Sequence, residues 1–176
     1  IRVDALVLSG GGTEREQEER AALAAFCPGA DLRLTVLKLP DGRMPVHWDE
    51  AKAAVEELRA QTDPDLVLAP RTDDAHQDHR GLAQLMPTAF RDHLVLGYEI
   101  VKWDGDLGRM TAYQPLSTEI AEEKVRLLQE HYASQRHRPW YDREAFLGLA
   151  RIRGIECHER YAEAFAATKL TLNLGG

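Results

Sequence analysis

Short apolar runs rich in β-forming residues recur along this chain at Ala5–Leu8, Leu32–Leu39, Leu66–Ala69 and Leu94–Ile100, with helix-like segments between them. No other feature constrains the fold as strongly. Parallel strands need a crossover of a dozen or more residues, usually a helix, so this alternation predicts an α/β protein with a mainly parallel sheet.

The helices carry their own signals. Thr13 and Glu16 form a T-x-x-E capping box after Gly10-Gly11-Gly12, and the helix they open runs through Ala21, Ala22, Ala24 and Ala25 to a stop at Pro28-Gly29. Between Trp48 and Gln61, residues Ala51, Val55 and Leu58 share one helical face, and Asp63-Pro64 precedes the next strand. Further helices are expected over about 80–91, 118–132 and 144–152, with a turn-like stretch at Trp103–Gly108. No repeat, low-complexity tract or Ser/Gly linker divides the chain, so residues 1–176 read as one domain. At 44% hydrophobic content, 176 residues suffice for a single core.

Charge and composition exclude several classes. With 29 acidic against 22 basic residues, the net charge of −7 argues against a partner gripped through its phosphate backbone, so no nucleic acid is expected. Cys27 and Cys157 lie far apart without CxxC spacing, which points away from a disulfide framework or a thiolate zinc ribbon and toward a reducing, cytoplasmic setting. No apolar run approaches the roughly 20 residues that cross a bilayer, and no basic-then-apolar leader opens the chain. The chain begins at Ile1 and enters an apolar run, Val3 to Leu8, without lead-in.

In open parallel sheets, sites form beyond the carboxyl ends of strands, and the strand at 65–69 runs directly into Pro70-Arg71-Thr72-Asp73-Asp74-Ala75-His76-Gln77-Asp78-His79. Two histidines and three aspartates within the seven residues Asp73–His79 exceed what a helix N-cap needs. Imidazole nitrogens and carboxylate oxygens are the usual zinc ligands outside thiolate sites, and an adjacent carboxylate orients such an imidazole through its second N–H. With a helix starting near Asp78, His76 sits in the loop and His79 in the first turn. One could then bind a divalent metal, zinc foremost, while the other handles charge. A catalytic zinc takes three protein ligands and an open position, and His47, His93, His131, His137 and His158 have no companion at ligand-like spacing.

The order of the motifs resembles a known family. D-x-H-x-D-H at Asp74–His79, after a strand and preceded by S-G-G-G-T-E-R-E at Ser9–Glu16, is similar to the LmbE/PIG-L superfamily of metal-dependent N-deacetylases, which remove acetyl groups from N-acetylglucosamine-type substrates. Leu39–Met44 (L-P-D-G-R-M), Lys124 with Tyr132–Gln135, and Arg153-Gly154 with Tyr161–Phe165 extend the resemblance over almost the whole chain. It implies a Rossmann-like three-layer α/β/α fold, Zn2+ or another divalent metal as cofactor, and an acetylated amino sugar or glycoconjugate as partner; a homo-oligomer is compatible with it. Family members also carry an A-H-P-D-D-E motif on their first strand, which supplies a His and an Asp as ligands and a second Asp as general base. This chain has no such motif. It is therefore expected to begin one strand and one helix late, roughly 30 residues in a βαβ unit, because a sheet lacking that strand would expose two apolar edges.

By the same resemblance, His79 is the third zinc ligand, His76 stabilises the oxyanion and protonates the leaving amine, Asp78 holds His76, and Arg15 contacts a sugar hydroxyl or phosphate. The metal would lower the pKa of a bound water toward about 7 for attack on the acetamide carbonyl. Asp74 is left as a loop brace, a contact to the metal's shell, or a plain turn acid. Two other readings stand beside this one. The missing motif suggests an inactive carbohydrate-binding or scaffold homologue. The Gly10–Gly12 loop suggests a nucleotide-binding module, although it matches neither G-x-G-x-x-G nor the P-loop and has no lysine. The segment Gln135–Arg138 with Trp140 and Tyr141 suits either a carbohydrate cleft or an exposed loop and is unassigned.

Overall fold

In order along the chain, the elements are β1 (Arg2–Val7), α1 (Glu14–Phe26), β2 (Asp31–Val36), α2 (Trp48–Gln61), β3 (Leu66–Pro70), α3 (Gln77–Ala89), β4 (Leu94–Tyr98), β5 (Ala112–Leu116), α4 (Thr118–His131), α5 (Arg143–Glu156) and β6 (Tyr161–Ala167). They come from a computed structural model that describes residues 1–172. Strands and helices mix as an α/β fold requires.

The helix signals act locally, with adjustments. Thr13 Oγ1 accepts the Arg15 N–H at 3.2 Å, while the Glu16 carboxylate reaches back to the Gly12 N–H at 2.7 Å, one residue beyond the partner of a capping box. In α2 the residues Ala51 and Val55 are buried, as their spacing requires. α3 begins at Gln77 rather than Arg80, because His76 caps it: the imidazole Nδ1 accepts the Asp78 N–H at 3.3 Å. α5 runs on past Ile152 to Glu156. Arg153 anchors that last turn to Glu99 at 2.7 Å, and Gly154 lets it lie against the Arg160 carbonyl, which a Cβ would meet at 2.7 Å.

β1 pairs with β2 in parallel, and so does β3 with β4. β6 runs antiparallel between β4 and β5, which makes the second sheet mixed, in the order β3-β4-β6-β5. Neither β5 nor β6 is legible in the sequence. β6 (YAEAFAA) is rich in alanine, a poor strand former, and β5 (AYQPL) contains Pro115, tolerated there because β5 is an edge strand.

The β1–β2 pair and the four-stranded sheet share no ladder. Leu66 and Leu68, which share one face of β3, are 45% and 54% exposed. The two sheets are held by packing: Met44, Ala51, Val55, Ala69, Leu85, Met86 and Phe90 form one core that takes in Leu6 and Leu8 from the β1 side and Val67 from β3. A second core joins Ala121 and Val125 of α4, Leu147 and Ala150 of α5, and Tyr161 of β6. Among the described residues no helix is long and apolar enough to cross a membrane.

Candidate functional site

Arg71, the first residue after β3, is 4% exposed and fixes the loop that follows. Its guanidinium donates to Asp73 Oδ1 at 2.8 Å and to the Asp106 carbonyl at 2.9 Å, and lies 3.8 Å from Glu99. Two glycines make room for it. A Cβ on Gly97 would stand 3.2 Å from Arg71 Cα, and one on Gly108 would stand 2.9 Å from Arg71 Nη2.

Asp74, 3% exposed, is the node of the site. Its Oδ1 accepts the His76 N–H at 2.8 Å and sits 3.1 Å from Lys102 Nζ, while its Oδ2 is 3.0 Å from His79 Nδ1. Lys102 Nζ also donates to Asp106 Oδ2 at 2.6 Å, and that carboxylate accepts the Ala75 N–H at 2.8 Å. Burial opposes the Lys102 charge, but hydrogen bonds to Asp106 and Asp74 hold the ammonium above its ordinary pKa. On Asp106 burial acts upward, yet Lys102 and the Ala75 N–H prevail and hold the carboxyl down to about 2.

These contacts place the two imidazoles in complementary tautomers. A carboxylate can only accept, so in the neutral ring His79 carries its proton on Nδ1 and has its lone pair on Nε2. His76 Nδ1 accepts a backbone N–H, so in the neutral ring the proton is on Nε2, where it can be donated. The ring centroids are 4.7 Å apart.

The expected pairing of Asp78 with His76 does not form. Both Asp78 oxygens accept backbone N–H groups of the Leu39–Met44 loop, from Gly42 at 2.7 Å and Met44 at 3.1 Å. Asp78 lies in the first turn of α3, where its own N–H goes to the His76 ring and its carboxylate to that loop. The orienting carboxylate is Asp74, and its histidine is His79. Lys102 and Asp106 were missed because nothing in the sequence separates them from solvated turn residues.

Arg15 makes its contacts with α1 and with the segment after α4. Its Nη1 is 3.1 Å from Ser134 Oγ and 3.3 Å from Glu18, and its guanidinium lies over the Tyr132 ring, 5.5 Å from the centroid. Together with Tyr132 it borders a cavity of about 360 Å³. The phenol of Tyr98 is held up at about 12 by burial and by the carboxylates of Asp74 and Glu19, so it stands within electrostatic reach of both the histidine cluster and α1.

Among the described residues, no group of three or more His, Cys, Asp and Glu is placed to hold a metal ion. Asp74 and Asp78 are occupied by Lys102, His79 and backbone N–H groups, which leaves the imidazoles alone with free nitrogens. A catalytic zinc needs three ligands. The described residues do not, by themselves, fit one.

The histidine–carboxylate cluster lies at the carboxyl end of a parallel strand, where open α/β sheets bind their ligands. Residues 5–90, which contain the Gly10–Gly12 loop and the whole histidine cluster, match the PIG-L family, described as GlcNAc-PI de-N-acetylase. No curated protein gives a sequence match. Among solved structures, the chain is similar to the conserved protein TT1542 from Thermus thermophilus, at 20% identity and TM-score 0.69 over 97% of this chain and 83% of that one. It is also similar to the N,N'-diacetylchitobiose deacetylase from Pyrococcus horikoshii, at 16% identity and TM-score 0.68 over 95% and 72%. The 4-carboxy-2-hydroxymuconate hydratase GalB from Pseudomonas putida matches at 15% identity and TM-score 0.66 over 98% and 87%. At such identities the likeness shows the fold. A deacetylase and a hydratase share it, so the reaction must be argued from the site.

Proposed function

We propose that the chain is an N-deacetylase that hydrolyses the acetamide of an N-acetylglucosamine-type substrate. The observation that carries this reading is the pair of complementary imidazoles, one with a free acceptor nitrogen and one with a free N–H, inside the segment that matches the PIG-L family. Amide hydrolysis adds water across the C–N bond: its oxygen goes to the carbonyl carbon and a proton goes to the departing nitrogen. Nε2–H of His76 suits hydrogen bonding to the developing oxyanion, and the ring delivers a proton to the amine only from its imidazolium form, which returns to the neutral imidazole as the proton leaves. Asp78 acts as a positioning residue that ties the Gly42–Met44 loop to α3. Arg15 is proposed to meet a hydroxyl or phosphate of the substrate.

Zinc is proposed as the cofactor on the family match and on His79, whose Nε2 is left free by Asp74; another divalent ion is admissible, and no step is assigned to it. Free Cys27 and Cys157 support a reducing, cytoplasmic setting. Acetate release from N-acetylglucosamine conjugates should fall by about a hundredfold or more in His79→Ala and on chelation. Release that persists unchanged under both treatments sinks the proposal. The absence of a three-ligand group among the described residues favours one second reading, an inactive carbohydrate-binding homologue. That reading predicts sugar binding without acetate release in the protein as encoded.

A further inference from the structure

Tyr98 ends β4 beside Pro70, the last residue of β3, and in that parallel register it shares its face with Leu66, Leu68 and Pro70. Glu99, the next residue, turns instead to Arg71 and Arg153. Tyr98 therefore stands at the carboxyl ends of two neighbouring strands, where the histidine loop leaves β3 and where open sheets bind their ligands. Its ring is partly buried. A tyrosine so placed usually finds a partner for its hydroxyl. Among the described residues this one has none. Nor is it sealed in: the side-chain polar atoms buried there without a partner are His93 Nδ1 and Trp140 Nε1, and the Tyr98 hydroxyl is not one of them. The oxygen thus keeps contact with solvent.

The carboxylates that act on Tyr98 are already engaged. Asp74 holds the His76 N–H, Lys102 and His79, and Glu19 accepts the Tyr132 hydroxyl. Burial, Asp74 and Glu19 together keep the Tyr98 phenol protonated up to about 12. At neutral pH it is therefore a hydrogen-bond donor, within reach of the histidine cluster on one side and of α1, the helix that carries Arg15, on the other.

We propose that Tyr98 is a substrate-binding residue whose hydroxyl donates a hydrogen bond to a ring hydroxyl of an amino sugar seated between the histidines and Arg15. That the ring carries the acetamide to be hydrolysed rests on the deacetylase reading; that the open phenol takes a sugar oxygen does not. His76 Nε2–H serves the amide oxygen in that reading, which leaves the Tyr98 donor to the ring. A sugar hydroxyl accepts from the phenol while it donates elsewhere, so both groups are satisfied by one contact.

The test is calorimetric titration of the full chain with N-acetylglucosamine and its 3-, 4- and 6-deoxy forms. Tyr98→Phe keeps the ring and removes an oxygen that no described protein group engages, so its thermal midpoint should stay within a few degrees of wild type. It should weaken N-acetylglucosamine by about tenfold. In acetate release it should raise KM by the same factor with kcat unchanged, because a contact made equally in the ground and transition states moves KM alone. One deoxy sugar, the one lacking the partner hydroxyl, should bind wild type about tenfold more weakly than N-acetylglucosamine and bind Tyr98→Phe no worse than wild type. Unchanged titrations in Tyr98→Phe, equal weakening of every sugar, or no binding of any sugar to wild type overturns the assignment. If one deoxy sugar shows this cancellation while no acetate is released, Tyr98 keeps its role and the deacetylase reading fails. Acetate release with the same KM in both proteins leaves that reading standing and removes Tyr98 from the site.

Discussion

Asp74 joins three functions in one buried carboxylate: it terminates the loop by accepting the His76 N–H, neutralises Lys102, and sets the tautomer of His79. An amide there could still accept a hydrogen bond, but it would lose the ion pair and its hold on the imidazole. Asp74→Asn should therefore keep the fold, because Lys102 retains Asp106, and should lower acetate release about 10–100-fold, as read from initial rates beside an unchanged circular dichroism spectrum. Asp106 makes a separate prediction about pH. Its carboxyl titrates at about 2 in the folded chain against 3.8 ordinarily, so the unfolded chain takes up the proton first as pH falls. Its contribution, on the order of 2 kcal/mol, is thus fully present above about pH 4 and is lost as pH falls toward 2. Urea unfolding from pH 6 to 2 should show a stability gap between wild type and Asp106→Asn that closes over that window; a gap that does not change with pH would count against the bridge. Which of these partnerships could be read beforehand divides cleanly. The concentration of Asp and His was visible, and so was the position of His79 in a first helical turn, whereas the assignment of Asp74 to His79 depends on how α3 is capped.

Among the elements, α5 shows how a helix end is chosen by what it docks against. Its last turn survives because Arg153 is tied to Glu99 and because Gly154 has no side chain to strike the Glu159 and Arg160 carbonyls. Gly154→Ala meets backbone that cannot swing aside and should cost about 1–3 kcal/mol in urea unfolding. Gly81→Ala in α3 instead meets the Met44 thioether, the flexible end of a side chain, and should cost less than Gly154→Ala in the same measurement. The helices of the first hundred residues and the four parallel strands announced themselves through spacing and caps. β5 and β6 did not, since their stability comes from the two antiparallel ladders and from α5 packing on β6 rather than from strand-forming side chains.

At the scale of the whole molecule, the division of the strands into a parallel pair and a four-stranded sheet leaves edges on β1 and β3 that no strand among the described residues pairs. Exposed apolar edges template association. The chain should therefore self-associate in light scattering, and Leu66→Lys with Leu68→Lys should suppress it without moving the thermal midpoint by more than a few degrees; association unaffected by the pair of lysines would show that β3 is not the contact. The α/β class and the placing of a histidine–aspartate cluster at the carboxyl end of β3 are legible from the residues alone, because both follow from spacing within a strand, a turn and a helix. Which carboxylate serves which ring, the completion of the node by Lys102 and Asp106, and the place of Arg15 at the border of a cavity are settled by folding. Those contacts join residues far apart in the chain, such as Ala75 with Asp106 across 31 positions and Gly42 with Asp78 across 36, and no local pattern reports where a folded backbone will bring them together.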